Sequence, residues 1–202
     1  MIDFLATFIV FFAVIDPIGT VPVYVAFTNR FPQAQRRRIA VVAVATAAAI
    51  LVFFVVAGEL ILNALSIPLS SFQIGGGIIL FLFALGMIFG KSKPEEEKQL
   101  LEDGNETAIY PLAVPAIAGP GAILTAVLLT ENARFSPVEQ VWTTVMMLAV
   151  LLVQLGLLLA ATFIQRVIGD AGASVVSRVM GMLLAAVATT NTIAGIKLAF
   201  DL

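Results

Sequence analysis

Cysteine and histidine are both absent from the 202 residues. Their absence removes disulfides, thiol nucleophiles, imidazole bases and the usual zinc ligands together. Charge is scarce as well. Asp, Glu, Lys and Arg make up 12% of the chain, about half the share found in soluble domains. A net charge of −2 offers no basic surface to nucleic acid. What remains is apolar: 60% of residues are hydrophobic and the mean hydropathy is +1.06. That composition belongs to a polytopic membrane protein. Met1-Ile2-Asp3 lacks a basic n-region and no small-x-small site follows the first apolar run. That run is therefore read as a retained span and not as a signal peptide.

Six runs are long enough to cross about 30 Å of hydrocarbon, which takes roughly 20 helical residues. They cover about 4–28, 39–62, 69–90, 109–130, 138–164 and 174–198. The third carries Gly75-Gly76-Gly77 and Gly86-x-x-x-Gly90, small residues that let helix backbones approach closely in lipid. One long polar stretch, Lys91 to Thr107, reads as a solvated linker with a short helix around Glu95–Leu101. Lys and Arg fall unevenly. Nine lie in or beside the turns after spans one, three and five, and only Arg134 and Lys197 lie on the other side. The positive-inside rule then puts the nine in the cytoplasm and both termini outside, as for a multi-pass protein of the cell (inner) membrane. Asn105-Glu106-Thr107 has the form of a glycosylation sequon, but this topology leaves it in the cytoplasm.

Two of the six runs are interrupted at their centres. Asp16-Pro17-Ile18-Gly19 breaks the first: Pro17 lacks an amide hydrogen and clashes with the preceding turn, and Asp16 suits the N-cap of a new helix starting at Pro17. Gly119-Pro120-Gly121 breaks the fourth, 103 residues after the first if Pro17 is aligned with Pro120. Three spans per half oblige the halves to enter from opposite sides. The expected fold is thus an all-α membrane protein of six transmembrane helices. It forms two inverted three-helix repeats, with helices 1 and 4 broken near the membrane centre. Repeat 1 is 1–90, the linker 91–108 and repeat 2 109–202, in a single transmembrane domain. Weak internal matches accompany it, Phe31 with Phe135 and Gln73-x-x-Gly76 with Arg178-x-x-Gly181. Broken helices at corresponding places in two halves point to a secondary-transporter site at the bilayer midplane.

The chemistry of such breaks is specific. Half-helix N-termini carry partial positive charge and favour an anion, while freed carbonyls and Asp16 favour an ammonium group or a small cation. A small amino acid satisfies both sets. Asp16 is the one acidic residue near the centre of any span. A central Asp costs about 2.5–3.5 kcal/mol on the insertion scale. It either binds substrate or a coupling ion, or only caps the half-helix. The candidate binding residues are Asp16, Pro17, Gly19, Thr20, Gly119, Pro120, Gly121 and Asn191, the last within Thr189-Thr190-Asn191-Thr192. Asp16 is also the coupling-ion candidate, for a proton or sodium. Gln154 is expected to bridge helices or to join the site. Arg178 is expected to snorkel, Glu59 to be solvated, and Trp142 and Tyr110 to anchor at interfaces. No cofactor, metal site or catalytic group is expected, and a homo-oligomer through the glycine faces stays open.

Phe12-Ala13-Val14-Ile15-Asp16-Pro17-Ile18-Gly19-Thr20-Val21-Pro22, Ile67-Pro68-x4-Gln73-Ile74-Gly75-Gly76-Gly77 and Tyr110-Pro111-Leu112-Ala113-Val114-Pro115-x3-Gly119-Pro120-Gly121 resemble the MarC/SnatA family of six-span membrane proteins. Arg178-Val179-Met180-Gly181 is similar to its last-helix pattern. The resemblance spans essentially the whole chain. It implies membership of the wider LysE-type exporter superfamily and transport of small neutral amino acids such as glycine and alanine. An exporter of an ion or another small solute, a membrane sensor or assembly protein, and an intramembrane enzyme are the alternatives. The enzyme lacks a partner for its one central carboxylate.

Overall fold

A computed structural model describes residues 3–89, 104–132 and 134–201. The chain forms α1 (Phe4–Ile15), α2 (Thr20–Thr28), α3 (Gln33–Ala64), α4 (Leu69–Phe89), α5 (Gly104–Thr107), a wide-wound segment Ala108–Ile117, α6 (Pro120–Leu128), α7 (Pro137–Leu159) and α8 (Ala161–Phe200). Gly169, at φ 66 and ψ 175, divides α8 into 161–168 and 170–200. Five stretches are long and apolar enough to cross a membrane. They are Phe4–Thr28, Gln33–Ala64, Leu69–Phe89, Pro137–Leu159 and Ser174–Phe200. The bent pair Gly104–Ile117 and Pro120–Leu128 makes a sixth.

Local chemistry sets the ends. Asp3 caps α1 by accepting the N–H groups of Leu5 and Ala6 at 3.0 and 3.1 Å. α7 starts with Pro137 behind a reciprocal cap: Ser136 Oγ takes the Glu139 N–H, and Glu139 Oε2 takes the Ser136 N–H at 3.0 Å. The turn before α3 is held by Arg36, which donates to the carbonyls of Phe31 and Asn29, while Tyr24 Oη donates to Arg36 O at 2.8 Å. These bonds draw Arg36 into the helix, so α3 begins at Gln33, six residues before the expected start of the second span. Glu59, expected to be solvated, also accepts both the backbone and side-chain N–H groups of Asn132 at 2.8 Å, in bonds that stay exposed. It thereby ties the end of α3 to the turn before α7.

The fourth span also differs from its expected bounds. The predicted linker ran to 108, yet Gly104–Thr107 is helical and Gly104, Thr107 and Ala108 are buried. Residues 91–103, with the short helix expected at Glu95–Leu101, and Gly90 of the glycine pair lie outside the described residues.

The helix pairing is that of an inverted repeat. α1 packs on α7 as Ala108–Ile117 packs on α3, and α2 packs on α8 as α6 packs on α4. α4 and α8 run antiparallel in one long seam. A Cβ on Gly77 would meet Thr192 Oγ1 and Ala188 O, and a Cβ on Gly181 would meet Ala84 O and Ile88 Cγ1. The steps 77 to 181, 84 to 188 and 88 to 192 are all 104 residues, so the seam maps onto itself when the repeats are exchanged. Gly195, set against Ser70 O and Ile74, extends the seam. Gly76 and Gly77 of the third span are thus packed within the chain, Gly76 against Leu124. Gly75 alone of its triplet has open space around its Cβ position.

Candidate functional site between two broken helices

Both expected interruptions are present, with different geometry. At the first, Asp16 is in the left-handed region (φ 50, ψ 65), 5% exposed, and its N–H donates to Phe12 O at 3.1 Å. Its carboxylate turns forward and Oδ1 accepts the Gly19 N–H at 3.0 Å. Its carbonyl takes both the N–H and the hydroxyl of Thr20, at 3.1 and 2.9 Å. Asp16 is thus the C-cap of α1 and not the expected N-cap, and the regular helix after it starts at Thr20 behind Gly19, not at Pro17. A side chain at Gly19 would displace the Asp16 carboxylate, because its Cβ would lie 1.9 Å from Oδ2. α1 and α2 continue as one span, Phe4–Thr28, whereas the two halves of the fourth span meet at 58°.

Regular pairing stops at the end of α1. Pro17 has no N–H to give Ala13 O, and the Gly19 N–H goes to the Asp16 side chain in place of Ile15 O. These carbonyls are thus left without their helical donors, in a part of the bundle where unpaired backbone is costly unless it meets a polar partner.

At the second break, Gly119 (φ −78, ψ 170) precedes Pro120, which takes the first position of α6. Gly119 has no side chain to cap this end, and Ile123 is the first residue of the helix whose N–H reaches a carbonyl, Gly119 O at 3.0 Å. The first turn of α6 therefore presents orphan donors. Gly121 brings the turn against Leu80 of α4, and Gly119 sits over Pro115 O. Ahead of the break the backbone is irregular for longer than expected. Tyr110 and Val114 are extended, and each precedes a proline, Pro111 and Pro115, through a cis bond.

The breaks lie beside each other. α1, before the first break, packs on α6, after the second; α2, after the first, packs on Ala108–Ile117, before the second. Two antiparallel helices paired half against half place their interruptions at one level. Asp16, Pro17, Gly19, Thr20 and Gly121 are buried there, and Gly119 and Pro120 are half-buried. Asn191 is not joined to either break by any hydrogen bond among the described residues. It is half-buried on α8, next to Thr192, whose hydroxyl lies against Gly77. Thr189 and Thr190 are exposed and their hydroxyls bond back to Ala185 and Ala186 carbonyls at 2.8 and 3.0 Å. Trp142 is half-exposed near the start of α7 against Phe4, Tyr110 is exposed, and so is Arg178. A cavity of about 350 Å³ opens at the far end of α2, lined by Ala26, Phe27, Asn29 and Arg30.

The model of the MarC family integral membrane proteins matches residues 1–200. The chain belongs to the MarC family. Its relatives include a UPF0056 membrane protein of Methanocaldococcus jannaschii, 32% identical over 197 residues that cover 96% of both chains. Another, from Aquifex aeolicus, is 33% identical over 201 residues, covering 96% of this chain and 92% of the relative. YhcE of Escherichia coli K12 is 33% identical over 197 residues, 94% and 90% of the two chains. Each is named as a membrane protein. No solved structure matches the chain. This MarC-family protein is thus a multi-pass integral membrane protein, and the two breaks lie inside the region its family model covers.

Proposed function

We propose that this MarC-family protein is a secondary transporter of small neutral amino acids of the glycine and alanine type, with its site between the two broken helices. The observation that supports the reading is the pairing of α1 with α6 and of α2 with Ala108–Ile117: α1, which ends at Asp16, packs on α6, whose N-terminus has no side-chain cap. A zwitterion answers both poles. Its carboxylate suits the first-turn N–H groups of α6, where the helix dipole adds about 0.3–1 kcal/mol, more when partly buried. Its ammonium group suits Asp16 and the carbonyls of Ala13 and Ile15.

Size follows from packing. Ile15, Ile117 and Leu124 are fully buried around the breaks, so a bulky side chain would require the core to shift. Alternating access then comes from one three-helix repeat rocking on the other, with the α4–α8 seam as the element common to both. Asp16 and the freed carbonyls are the candidates for ion coupling, to a proton or to sodium.

The test is uptake of labelled glycine and L-alanine by liposomes containing the purified protein, with and without imposed proton and sodium gradients. Gradient-dependent flux of either amino acid is expected. No flux of any small neutral amino acid under any gradient would remove the proposal.

A further inference from the structure

Gln154 carries the most informative orphan groups in the protein. It is 0% exposed, and neither its Nε2 nor its Oε1 has a hydrogen-bond partner. A buried amide with both ends unpaired is expensive in a membrane interior, where no solvent compensates it. At the 103-residue step of the breaks the matching position of α3 is Leu51, fully buried, and at the 104-residue step of the α4–α8 seam it is Ile50, half-buried, a hydrocarbon side chain in either case. The fold therefore accommodates an apolar residue here, and repeat 2 has an amide in its place.

Its position is informative too. Thr143, Met147, Val150, Leu151, Gln154 and Leu158 are the buried residues of α7 and fall on one helix face. α7 packs on α1 and α3. Phe4 of α1 and Trp142 of α7 touch edge to face, with ring centroids 5.3 Å apart, which sets the level of the two parallel helices. Gln154 is twelve residues past Trp142, and Asp16 is twelve residues past Phe4. At 1.5 Å per residue both lie about 18 Å further along, level to within about one helical turn. The unpartnered amide thus lies on the buried face of α7, at the level of the first break.

The repeat comparison sorts the polar side chains. Asp16 is matched by Gly119 and Gln154 by Leu51, so both polar groups belong to the pole built from helices one and five. The matching positions of the opposite pole carry no polar side chain. We infer that Gln154 is a binding residue of the site proposed above: its Oε1, unpartnered within the protein, joins Asp16 in holding the substrate's ammonium group. The inference rests on the transport reading and fixes the direction in which the zwitterion lies, amine toward α1 and α7, carboxylate toward α6.

The experiment compares wild type with Gln154→Leu, the residue of the other repeat, in two readouts: glycine flux in liposomes and melting temperature with and without glycine. A lost hydrogen bond to a charged group predicts a KM raised about tenfold or more. Removing the unpaired amide predicts a higher melting temperature without glycine and a smaller shift on adding it. Gln154→Met is read in the same way should the leucine variant not accumulate. If the wild type transports glycine, an unchanged KM in Gln154→Leu would overturn this inference alone, and an unchanged KM with a lowered melting temperature would make Gln154 a packing residue. A wild type neither transporting nor stabilised by glycine or alanine overturns the transport reading and this inference with it.

Discussion

Replacing Gly19 with alanine probes the first break with one methyl group. The backbone at Gly19 (φ −67, ψ −24) is open to any residue, so conformation does not oppose the change. Alanine there would even restrict the unfolded chain, a gain of about 0.4–1 kcal/mol. The obstacle is Asp16: the new Cβ would lie 1.9 Å from Oδ2 and 2.7 Å from Cγ. The carboxylate must swing away and abandon the 3.0 Å bond from the Gly19 N–H. Leaving that buried donor unpaired costs about 1–3 kcal/mol, and repacking round the displaced side chain about another 1–3 kcal/mol. The net loss is about 1–5 kcal/mol, which for a chain of this length lowers the melting temperature by several degrees. The assay is thermal melting of the purified protein in detergent. Gly75→Ala is the control, since nothing lies within 4 Å of that Cβ. Asp16→Ala combined with Gly19→Ala closes a double-mutant cycle, in which the alanine at 19 should lose its own penalty once the carboxylate is gone. Gly19→Ala melting like wild type, or a penalty that persists without Asp16, would refute the account of this turn.

Three further outcomes are expected. Gly77→Ala and Gly181→Ala should each destabilise the α4–α8 seam by about 1–3 kcal/mol, since both place a methyl against a neighbouring helix at 3.0 Å or less, and a neutral result for either is measurable in the same melts. Glu59→Gln should cost no more than about 1 kcal/mol, because the bonds to Asn132 lie at an exposed turn, and chemical unfolding or melting would register a larger effect if that staple mattered more. Asp16→Asn keeps an oxygen to accept the Gly19 N–H. It should fold yet lose glycine flux in liposomes, and full transport would reduce Asp16 to a cap.

Much of the architecture is legible from residue chemistry, and what was not has identifiable reasons. Pro17 and Pro120 announce their breaks because an imino acid cannot continue a helix, whatever surrounds it. The start of α2 was misplaced by three residues since Asp16 adopts a left-handed conformation and spends its carboxylate on Gly19, and neither follows from residue type. The extended residues Tyr110 and Val114 did have a signal: each precedes a proline, which pushes it out of the helical region. The 58° bend of the fourth span against the nearly continuous first span is a difference of packing that two similar motifs conceal. The tie from Glu59 to Asn132 has no local signal, because the two residues are 73 apart in the chain. Gln154 stood out as a lone polar residue, but its lack of partners needed coordinates.

A chain without cysteine permits a clean reporter at the breaks themselves. A single Thr20→Cys, in otherwise unaltered protein, places one thiol within the buried turn after Asp16, and Thr189→Cys places one on the exposed face of α8. Alkylation by a small maleimide is then timed with and without glycine or L-alanine. The account predicts that the amino acid slows labelling at position 20 severalfold and leaves position 189 unaffected. Labelling at position 20 that ignores a substrate the same protein transports would contradict it.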